Sequence, residues 1–287
     1  MNTFKILDEV DSSGKPYIIY KKPKGFDLFT NFSKKITLSK YNIHKFFKSI
    51  SSNKKKIKKN DLYVGFFGYE LLNNLIGIKF PKQKSNNFPK GIFYKPETTI
   101  SLNENLYFKT LLTDKKSKKF KININKKNYT KIFNMFKKKI KQGKTYQIKI
   151  CTKYKNKSKI DPLDFFCRLS KSNLAPEAFL IKDNNYSVIS CSPETLINKK
   201  GRSIITKPIA GTLKKYKNLN KKKALQYFKK NIKETKEHNM IVDMERSDLS
   251  RICIPGTVKI KKQKTIEEYK DLFHYVSLIK GKLDKKI

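Results

Sequence analysis

Short apolar runs alternate along this chain with stretches of helical spacing, and this alternation limits the folds open to it. The segments AFLIK (178–182) and YSVISCS (186–192) are typical of strands, whereas residues 162–172 and 221–243 have the spacing of helices. The strands are separated by short turns and are interspersed with helices. The pattern predicts an α+β fold with antiparallel sheets and not a doubly wound parallel sheet.

The first 126 residues show the same pattern more weakly. PYIIY, near the N-terminus, indicates a short extended piece, and the Lys/Ser-rich stretch that follows predicts a loop or helix end. Residues 62–78 predict a buried strand that turns at Gly65 and Gly68 and then enters a helix. Further strands are expected around 92–113 and 119–125.

The next segments have clearer boundaries. Asn128 is expected to cap a helix that Gly143 ends. Residues 145–154, TYQIKICTKY, alternate in polarity and predict a strand. A strand pair is expected over 195–209.

Composition excludes several classes of protein. No run of eighteen apolar residues predicts a transmembrane helix, and the N-terminus does not resemble a signal peptide, so a soluble cytoplasmic protein is expected. The four cysteines have neither zinc-ligand spacing nor a disulfide pattern, and we expect buried thiols.

The net charge of +44 suggests nucleic-acid binding, but the kind of basic residue does not. Only four of the 67 basic residues are Arg, the side chain that forms bidentate contacts with bases and phosphates. The lysines are spread along the chain among many Asn and Ile residues, whose codons are rich in A and T. Base bias therefore explains the charge better than a nucleic-acid partner.

Three segments carry side chains suited to chemistry. Glu194 follows a proline at a strand end, where a carboxylate can be aimed into a cleft. In KPIAGT, Gly211 belongs to a tight turn and Thr212 offers a hydroxyl. Glu234 and Glu237 are one helical turn apart, so they either form a solvated acidic face or provide two ligands for Mg²⁺.

These segments, in this order, resemble the chorismate-utilising enzymes that include anthranilate synthase component I and aminodeoxychorismate synthase component I. The resemblance covers roughly residues 62–283. Its motifs are GFFGYE (65–70), TYQIKI (145–150), SPE (192–194), KPIAGT (207–212), KETKEHNMIVDMERSDLSR (233–251), PGTVKI (255–260) and FHYVSLIKGKL (273–283).

The resemblance implies a role for each matched residue. Glu194 matches a general acid that assists loss of the chorismate C4 hydroxyl, a task that needs a partly desolvated carboxyl. Glu237, with Glu234, matches the acids that bind Mg²⁺. His274 matches a histidine that lines the chorismate site; the alternative is a core histidine on an apolar helix. Ala210, Gly211 and Thr212 match the turn that contacts substrate.

Two positions bear on the reaction. Gln147 stands where water-adding relatives have a lysine base, which favours the ammonia-adding branch. Ala210 stands where one type of aminodeoxychorismate synthase has a lysine nucleophile, which favours direct amination at C2. Against anthranilate synthase, residues 1–60 contain no LLES-like feedback motif. The product therefore stays open between anthranilate and aminodeoxychorismate.

The chain also departs from the family pattern. The resemblance implies an N-terminal component I-like region over 1–126 and a partial chorismate-binding catalytic domain over 127–287, which are expected to form one continuous fold that is incomplete at its C-terminal end. Ser247 and Ser250 replace the Asn and Gly of the family. We expect the 287-residue chain alone not to aminate chorismate.

The implied partners are chorismate, ammonia or glutamine, and a glutamine amidotransferase subunit, with no specific nucleic acid and no membrane. Two alternatives remain: a non-catalytic fragment or one part of a split enzyme, and a basic nucleic-acid binder.

Overall fold

The computed structural model describes residues 3–51, 62–77, 88–103, 106 and 118–286. The chain divides into two compact units, one of residues 1–108 with 162–287 and one of residues 109–161. The boundary expected between residues 126 and 127 falls inside the second unit. None of the helices described is long and apolar enough to cross a membrane.

The helices and strands follow one another along both units in a mixed order. In chain order they are α1 Thr3–Ser12, β1 Tyr17–Lys21, β2 Phe26–Thr37, α2 Ile43–Ser51, β3 Val64–Phe67, a 3-10 turn Tyr69–Leu71, α3 Leu72–Leu75, β4 Gly91–Leu102, β5 Lys121–Ile122, α4 Lys126–Lys141, β6 Tyr154–Lys155, α5 Pro162–Ser172, β7 Glu177–Lys182, β8 Ser187–Ser192, β9 Asn198–Lys200, β10 Ser203–Thr206, β11 Ile209–Lys214, α6 Lys221–Lys230, α7 Ile232–Ser250, β12 Lys259–Glu268 and β13 Leu272–Lys282.

A six-stranded sheet in the order β3-β4-β2-β1-β7-β8 forms much of the first unit. Every neighbouring pair in it is antiparallel. Its strands come from both sides of residue 126, so the two regions expected from sequence share one sheet. The predicted antiparallel α+β class is confirmed.

Both faces of this sheet are buried, and strand periodicity explains how. Ile19 and Leu180 pack on one side with Leu7 of α1 and Phe166 of α5. The alternate residues, such as Ile18 and Ile181, pack on the other side with Phe29 and Tyr94. At a burial free energy of about 25 cal/mol per Å², these two apolar faces are the main force that holds the sheet.

A second antiparallel sheet is built around the long strand β13. β10 and β11 lie end to end along one edge of β13, and β12 lies along the other. β9 forms a hairpin with β10, as predicted for 195–209. Val242 and Leu249 of α7 pack on Ile204 and Ile279 of this sheet.

The second unit differs from expectation in three ways. The side chain of Asn125, not Asn128, caps α4 and accepts a hydrogen bond from the Asn128 N–H at 2.9 Å. Residues 145–153 are not a strand, because the only strand pairing among the described residues of this unit joins two residues of β5 with two of β6. Cys151 is exposed and not buried. Gly143, with φ of 69°, lies just after the end of α4, as predicted.

Three corrections apply to the first unit. The helix expected over 221–243 is two helices, because Asn231 ends α6 and its side chain caps α7 by accepting from the Glu234 N–H. Gly65 is not a turn residue but lies within β3, where a Cβ would come within 1.9 Å of the Ile92 carbonyl oxygen. Helix α1 and the twelve-residue strand β2 were not predicted.

Some expectations concern residues outside the described ones. They are residues 52–60 of the Lys/Ser-rich stretch, residue 78, and residues 104, 105 and 107–113. The loop or helix end expected in the first, and the ends of two expected strand and helix segments, therefore stay predictions.

Candidate active site

The KPIAGT segment interrupts the edge of the second sheet. β10 ends at Thr206 and β11 begins at Ile209, while Pro208, which has no N–H to donate, still accepts from the Ser277 N–H at 3.2 Å. The register of β11 on β13 then shifts between Ile209 and Thr212. This segment, residues 207–212, is called the 207–212 turn below.

Gly211 lets this turn approach the core. Its φ is +113°, and a Cβ placed there would lie 2.7 Å from Cε1 of Phe228. Phe228 is fully buried and stacks on Tyr275 at 4.9 Å. Glycine is therefore required both by the backbone conformation and by the space available.

Glu194 reaches the same turn from the end of β8. Its Oε1 accepts a hydrogen bond from the Ile209 N–H at 3.0 Å. Its own N–H donates to Ser192 Oγ at 3.3 Å, which holds the loop after the strand. The side chain is exposed and lines a cleft of 520 Å³ with Glu177, Thr195 and other residues. The partial desolvation expected of a general acid is not provided by the described residues.

His274 completes this group from β13. It pairs with Thr212 across the sheet, and Nδ1 lies 3.0 Å from the Thr212 hydroxyl oxygen. The side chain is buried, and burial lowers the pKa, an effect opposed by the Gly211 backbone and by the charges of Glu267 and Glu194. His274 is therefore uncharged at neutral pH. The helix expected around it is wrong, because the residue lies in a strand, but its burial agrees with the alternative of a core histidine, so both roles stay open.

A buried histidine on α7, His238, contacts the backbone of the 207–212 turn. His238 Nδ1 lies 3.2 Å from the Ala210 carbonyl oxygen, and Nε2 lies 2.7 Å from Ser277 Oγ. A carbonyl only accepts, so Nδ1 carries the proton and Nε2 accepts from Ser277, whose oxygen in turn accepts from the Lys264 N–H at 3.0 Å. Burial lowers the pKa of His238, so this chain of bonds persists at neutral pH.

Glu234 and Glu237 lie on the first turns of α7 and share one cation. Lys233 Nζ is 3.2 Å from Glu234 Oε1 and 3.1 Å from Glu237 Oε2. Among the described residues, no hydrogen bond or ion pair joins these two carboxylates to Glu194 or His274. Nor does that part of the chain contain a group of three or more His, Cys, Asp or Glu side chains that could hold a metal ion.

The type of these two side chains is compatible with the expected Mg²⁺, whose binding here stays a prediction. Two carboxylates already converge on one positive charge, and Mg²⁺ commonly takes one or two protein carboxylates and completes its shell with water and substrate. Lys233 is largely exposed, so it can leave at little cost.

Two acidic residues near the 207–212 turn, Glu245 and Glu267, were not predicted from the sequence. Glu267 accepts from Lys207 Nζ at 2.9 Å. Glu245, on α7, accepts from the Thr206 hydroxyl at 3.0 Å, and burial, with the charges of Asp248 and Glu194, raises its pKa. The only signal for them was an acid in otherwise Lys-rich or helical sequence, which did not indicate proximity to the turn.

Gln147 lies in the second unit. It is exposed, in the segment 145–153, and its backbone carbonyl oxygen accepts a hydrogen bond from the Thr145 hydroxyl at 3.2 Å. The expected role of its side chain stays a prediction.

Comparison with known proteins identifies the family. The model of the chorismate binding enzyme family matches residues 12–287. This chain belongs to the chorismate binding enzyme family.

Relatives within this family carry two component I names. An anthranilate synthase component I-like protein of Synechocystis is 30% identical over 245 residues, which cover 76% of this chain and 50% of the relative. An aminodeoxychorismate synthase component 1 of Bacillus subtilis is 32% identical over 145 residues, which cover 50% of this chain and 31% of the relative. The chain thus spans about half the length of the first of these relatives.

Solved structures confirm the fold. Anthranilate synthase component I from Streptococcus pneumoniae superposes with a TM-score of 0.77 at 19% identity, covering 93% of this chain and 71% of that one. A putative isochorismate synthase from Bacillus anthracis gives 0.67 at 18% identity, covering 99% and 72%. The same fold is therefore found in solved structures that carry two different names, anthranilate synthase component I and putative isochorismate synthase.

Proposed function

We propose that this chain binds chorismate at the 207–212 turn and provides the component I part of a chorismate-aminating enzyme. The observation that carries the proposal is the convergence of two side chains from distant segments on that turn. Glu194 accepts from the Ile209 N–H, and His274 contacts the Thr212 hydroxyl. Together with the family match, this arrangement supports a substrate site here.

The arrangement suits the chemistry of chorismate loss and substitution. In this role the second carboxyl oxygen of Glu194 would donate a proton to the departing C4 hydroxyl, which would leave as water while the ammonia nitrogen bonds to the ring and then releases one of its protons to solvent. His274, being uncharged, can accept or donate a hydrogen bond to substrate without bringing a charge into the site. The backbone of Ala210 and Gly211 and the hydroxyl of Thr212 would contact the ring substituents.

Glu234 and Glu237 would hold Mg²⁺, in place of the Lys233 ammonium that they share in this structure. When bound, the ion would offset the negative charge of the substrate carboxylate. The two glutamates lie on a helix, which fixes their spacing and requires only a side-chain movement of Lys233.

Ammonia would come from a glutamine amidotransferase partner, in keeping with the component I names of the relatives. We place this activity in the cytoplasm. The product is anthranilate, formed with elimination of pyruvate, or aminodeoxychorismate. Ala210 favours the first, because a methyl group cannot form the lysine adduct of one aminodeoxychorismate synthase type, and the relative named aminodeoxychorismate synthase component 1 keeps the second open.

Water addition is the competing reaction, since one of the structural neighbours is a putative isochorismate synthase. Gln147 argues against it, because a neutral amide cannot take a proton from water.

Calorimetric titration with chorismate in the presence of Mg²⁺ tests the proposal. The wild-type chain should bind saturably, and Thr212→Val should weaken binding. A lost hydrogen bond of about 0.5–1.5 kcal/mol corresponds to roughly 2- to 12-fold in affinity. Thr98→Val, which removes a hydroxyl from β4 that bonds Asn31, is the matched control and should bind as wild type.

Absence of any chorismate binding would sink the proposal and favour a non-catalytic fragment. Steeply salt-dependent DNA binding with sequence preference would instead favour a nucleic-acid binder.

A further inference from the structure

The side chain of Tyr269 contacts both His274 and the loop that carries Glu194. Tyr269 lies between β12 and β13, and its ring packs edge-on against His274, with centroids 5.0 Å apart at 75°. Its hydroxyl lies 3.2 Å from the carbonyl oxygen of Pro193, the residue before Glu194. Among the hydrogen bonds, ion pairs and ring contacts of the described residues, no other side chain links His274 to the loop that carries Glu194.

The hydroxyl has a second acceptor, which determines where its proton goes. Glu267 Oε2 lies 3.1 Å from it, and a phenol with one proton donates fully to only one of the two acceptors at a time. Both carboxylate oxygens of Glu267 also accept from Lys207 Nζ, at 3.1 and 2.9 Å. This ion pair weakens Glu267 as an acceptor, so the Pro193 carbonyl, at nearly the same distance, competes with it for the phenol proton.

The phenol stays protonated over the working range of pH. Tyr269 is half-buried, and burial together with the neighbouring Glu267 raises the pKa of the phenol above its ordinary value. The Tyr269 hydroxyl therefore keeps its proton and remains available as a hydrogen-bond donor.

We propose that Tyr269 is a positioning residue that fixes Glu194 and His274 relative to each other, and that the Lys207–Glu267 pair orients its hydroxyl. The proposal rests on the proposed function, since it assigns Tyr269 a part in the same chorismate site. Tyr269 acts through other residues: its hydroxyl sets the loop that carries Glu194, and its ring sets the imidazole.

Tyr269→Phe separates these two contributions, because it keeps the ring against His274 and removes only the hydroxyl. Tyr216→Phe is the matched control, since Tyr216 is an exposed tyrosine that makes none of these contacts. Two quantities are to be measured in each variant: the pKa of His274 by NMR and the chorismate affinity by calorimetry. The chain has three histidines, so its imidazole signals can be assigned with one variant each.

Glu267 and Glu194 both raise the His274 pKa, and in Tyr269→Phe the loop before Glu194 loses its anchor, so the contribution of Glu194 is reduced. We therefore expect the His274 pKa to fall further and the chorismate affinity to drop about 5-fold, the loss of roughly one hydrogen bond, while Tyr216→Phe leaves both unchanged. Glu267→Gln removes a charge that itself raises the His274 pKa, so this variant is judged by its chorismate affinity, which should drop as in Tyr269→Phe because the pairing with Lys207 is weakened.

A His274 pKa in Tyr269→Phe equal to that of the wild type would overturn the proposal, even if the variant melted at a lower temperature, because a purely structural tyrosine would give that result. The His274 titration requires no ligand. If the wild-type chain does not bind chorismate, the proposed function fails, and the titration still decides whether Tyr269 positions the two residues.

Discussion

Replacement of Gly211 by alanine tests the close approach of the 207–212 turn to Phe228. The residue has φ of +113°, and the added Cβ would lie 2.7 Å from Cε1 of Phe228, where ordinary contacts begin near 3.4 Å. The Phe228 ring cannot retreat easily, since it is fully buried and stacks on Tyr275 at 4.9 Å.

The expected loss of stability has two parts. A non-glycine residue at positive φ costs about 1–2 kcal/mol, and overpacking a buried site adds about 1–3 kcal/mol. The lower entropy of alanine in the unfolded chain returns roughly 0.4–1 kcal/mol. Gly211→Ala should therefore lower the free energy of unfolding by about 1–4 kcal/mol.

Gly201→Ala is the matched control. Gly201 also has positive φ, of +58°, but nothing lies within 4 Å of the added Cβ. The unfolded-state contribution is the same in both variants, whereas the backbone cost is at least as large at Gly211, because φ of +113° lies outside the left-handed region that holds Gly201. Urea unfolding should show Gly211→Ala less stable than Gly201→Ala by at least about 1–3 kcal/mol, the overpacking contribution. Equal stabilities would refute the close approach of the turn to Phe228.

Three further perturbations probe the metal ligands, the buried histidine and the larger sheet. In calorimetry, with Mn²⁺ as the probe for the Mg²⁺ site, Lys233→Met should raise the metal affinity about 2- to 5-fold, because an exposed ion pair worth up to about 1 kcal/mol no longer competes for Glu234 and Glu237. An equal gain in Lys236→Met would exclude this competition. The pKa of His238 is lowered in the folded state, so the unfolded state binds more protons as the pH falls through about 6.5, and stability is lost by at most about 1.4 kcal/mol per pH unit. His238→Gln should flatten this part of the stability–pH curve, whereas an equal flattening in the exposed His44→Gln would show that another group is responsible. Asp183→Asn should lower the free energy of unfolding by about 1–3 kcal/mol in urea, because the buried carboxylate accepts hydrogen bonds from two tyrosines and one lysine; unchanged stability would show that this cluster contributes nothing.

The sequence could predict those parts of the fold that depend on local pattern. The strands at 178–182 and 187–192 and the hairpin near 198–206 follow from alternation and turn residues. The break at Asn231 was missed because its neighbours on both sides have helical spacing, and only the capping geometry shows two helices. Residues 145–153 alternate in polarity, but alternation gives a strand only where a neighbour supplies hydrogen bonds.

The candidate site was predictable in its parts and not in its connections. Glu194 and Thr212 stood out as a carboxylate at a strand end and a hydroxyl beside a glycine turn. The contact of Tyr269 with both His274 and Pro193 depends on the pairing of β12 with β13, which no local pattern encodes. Likewise, Lys233 looked like one lysine among many until the structure placed it between Glu234 and Glu237.

The histidine NMR spectrum during a chorismate titration tests the central claim most directly. The chain has three histidines, of which His274 contacts the 207–212 turn through Thr212 and His44 is exposed on α2. If chorismate binds at the turn, the His274 signal should shift saturably while that of His44 stays in place. A saturable shift of His44 with His274 unmoved would place the ligand elsewhere and contradict the assignment of the site.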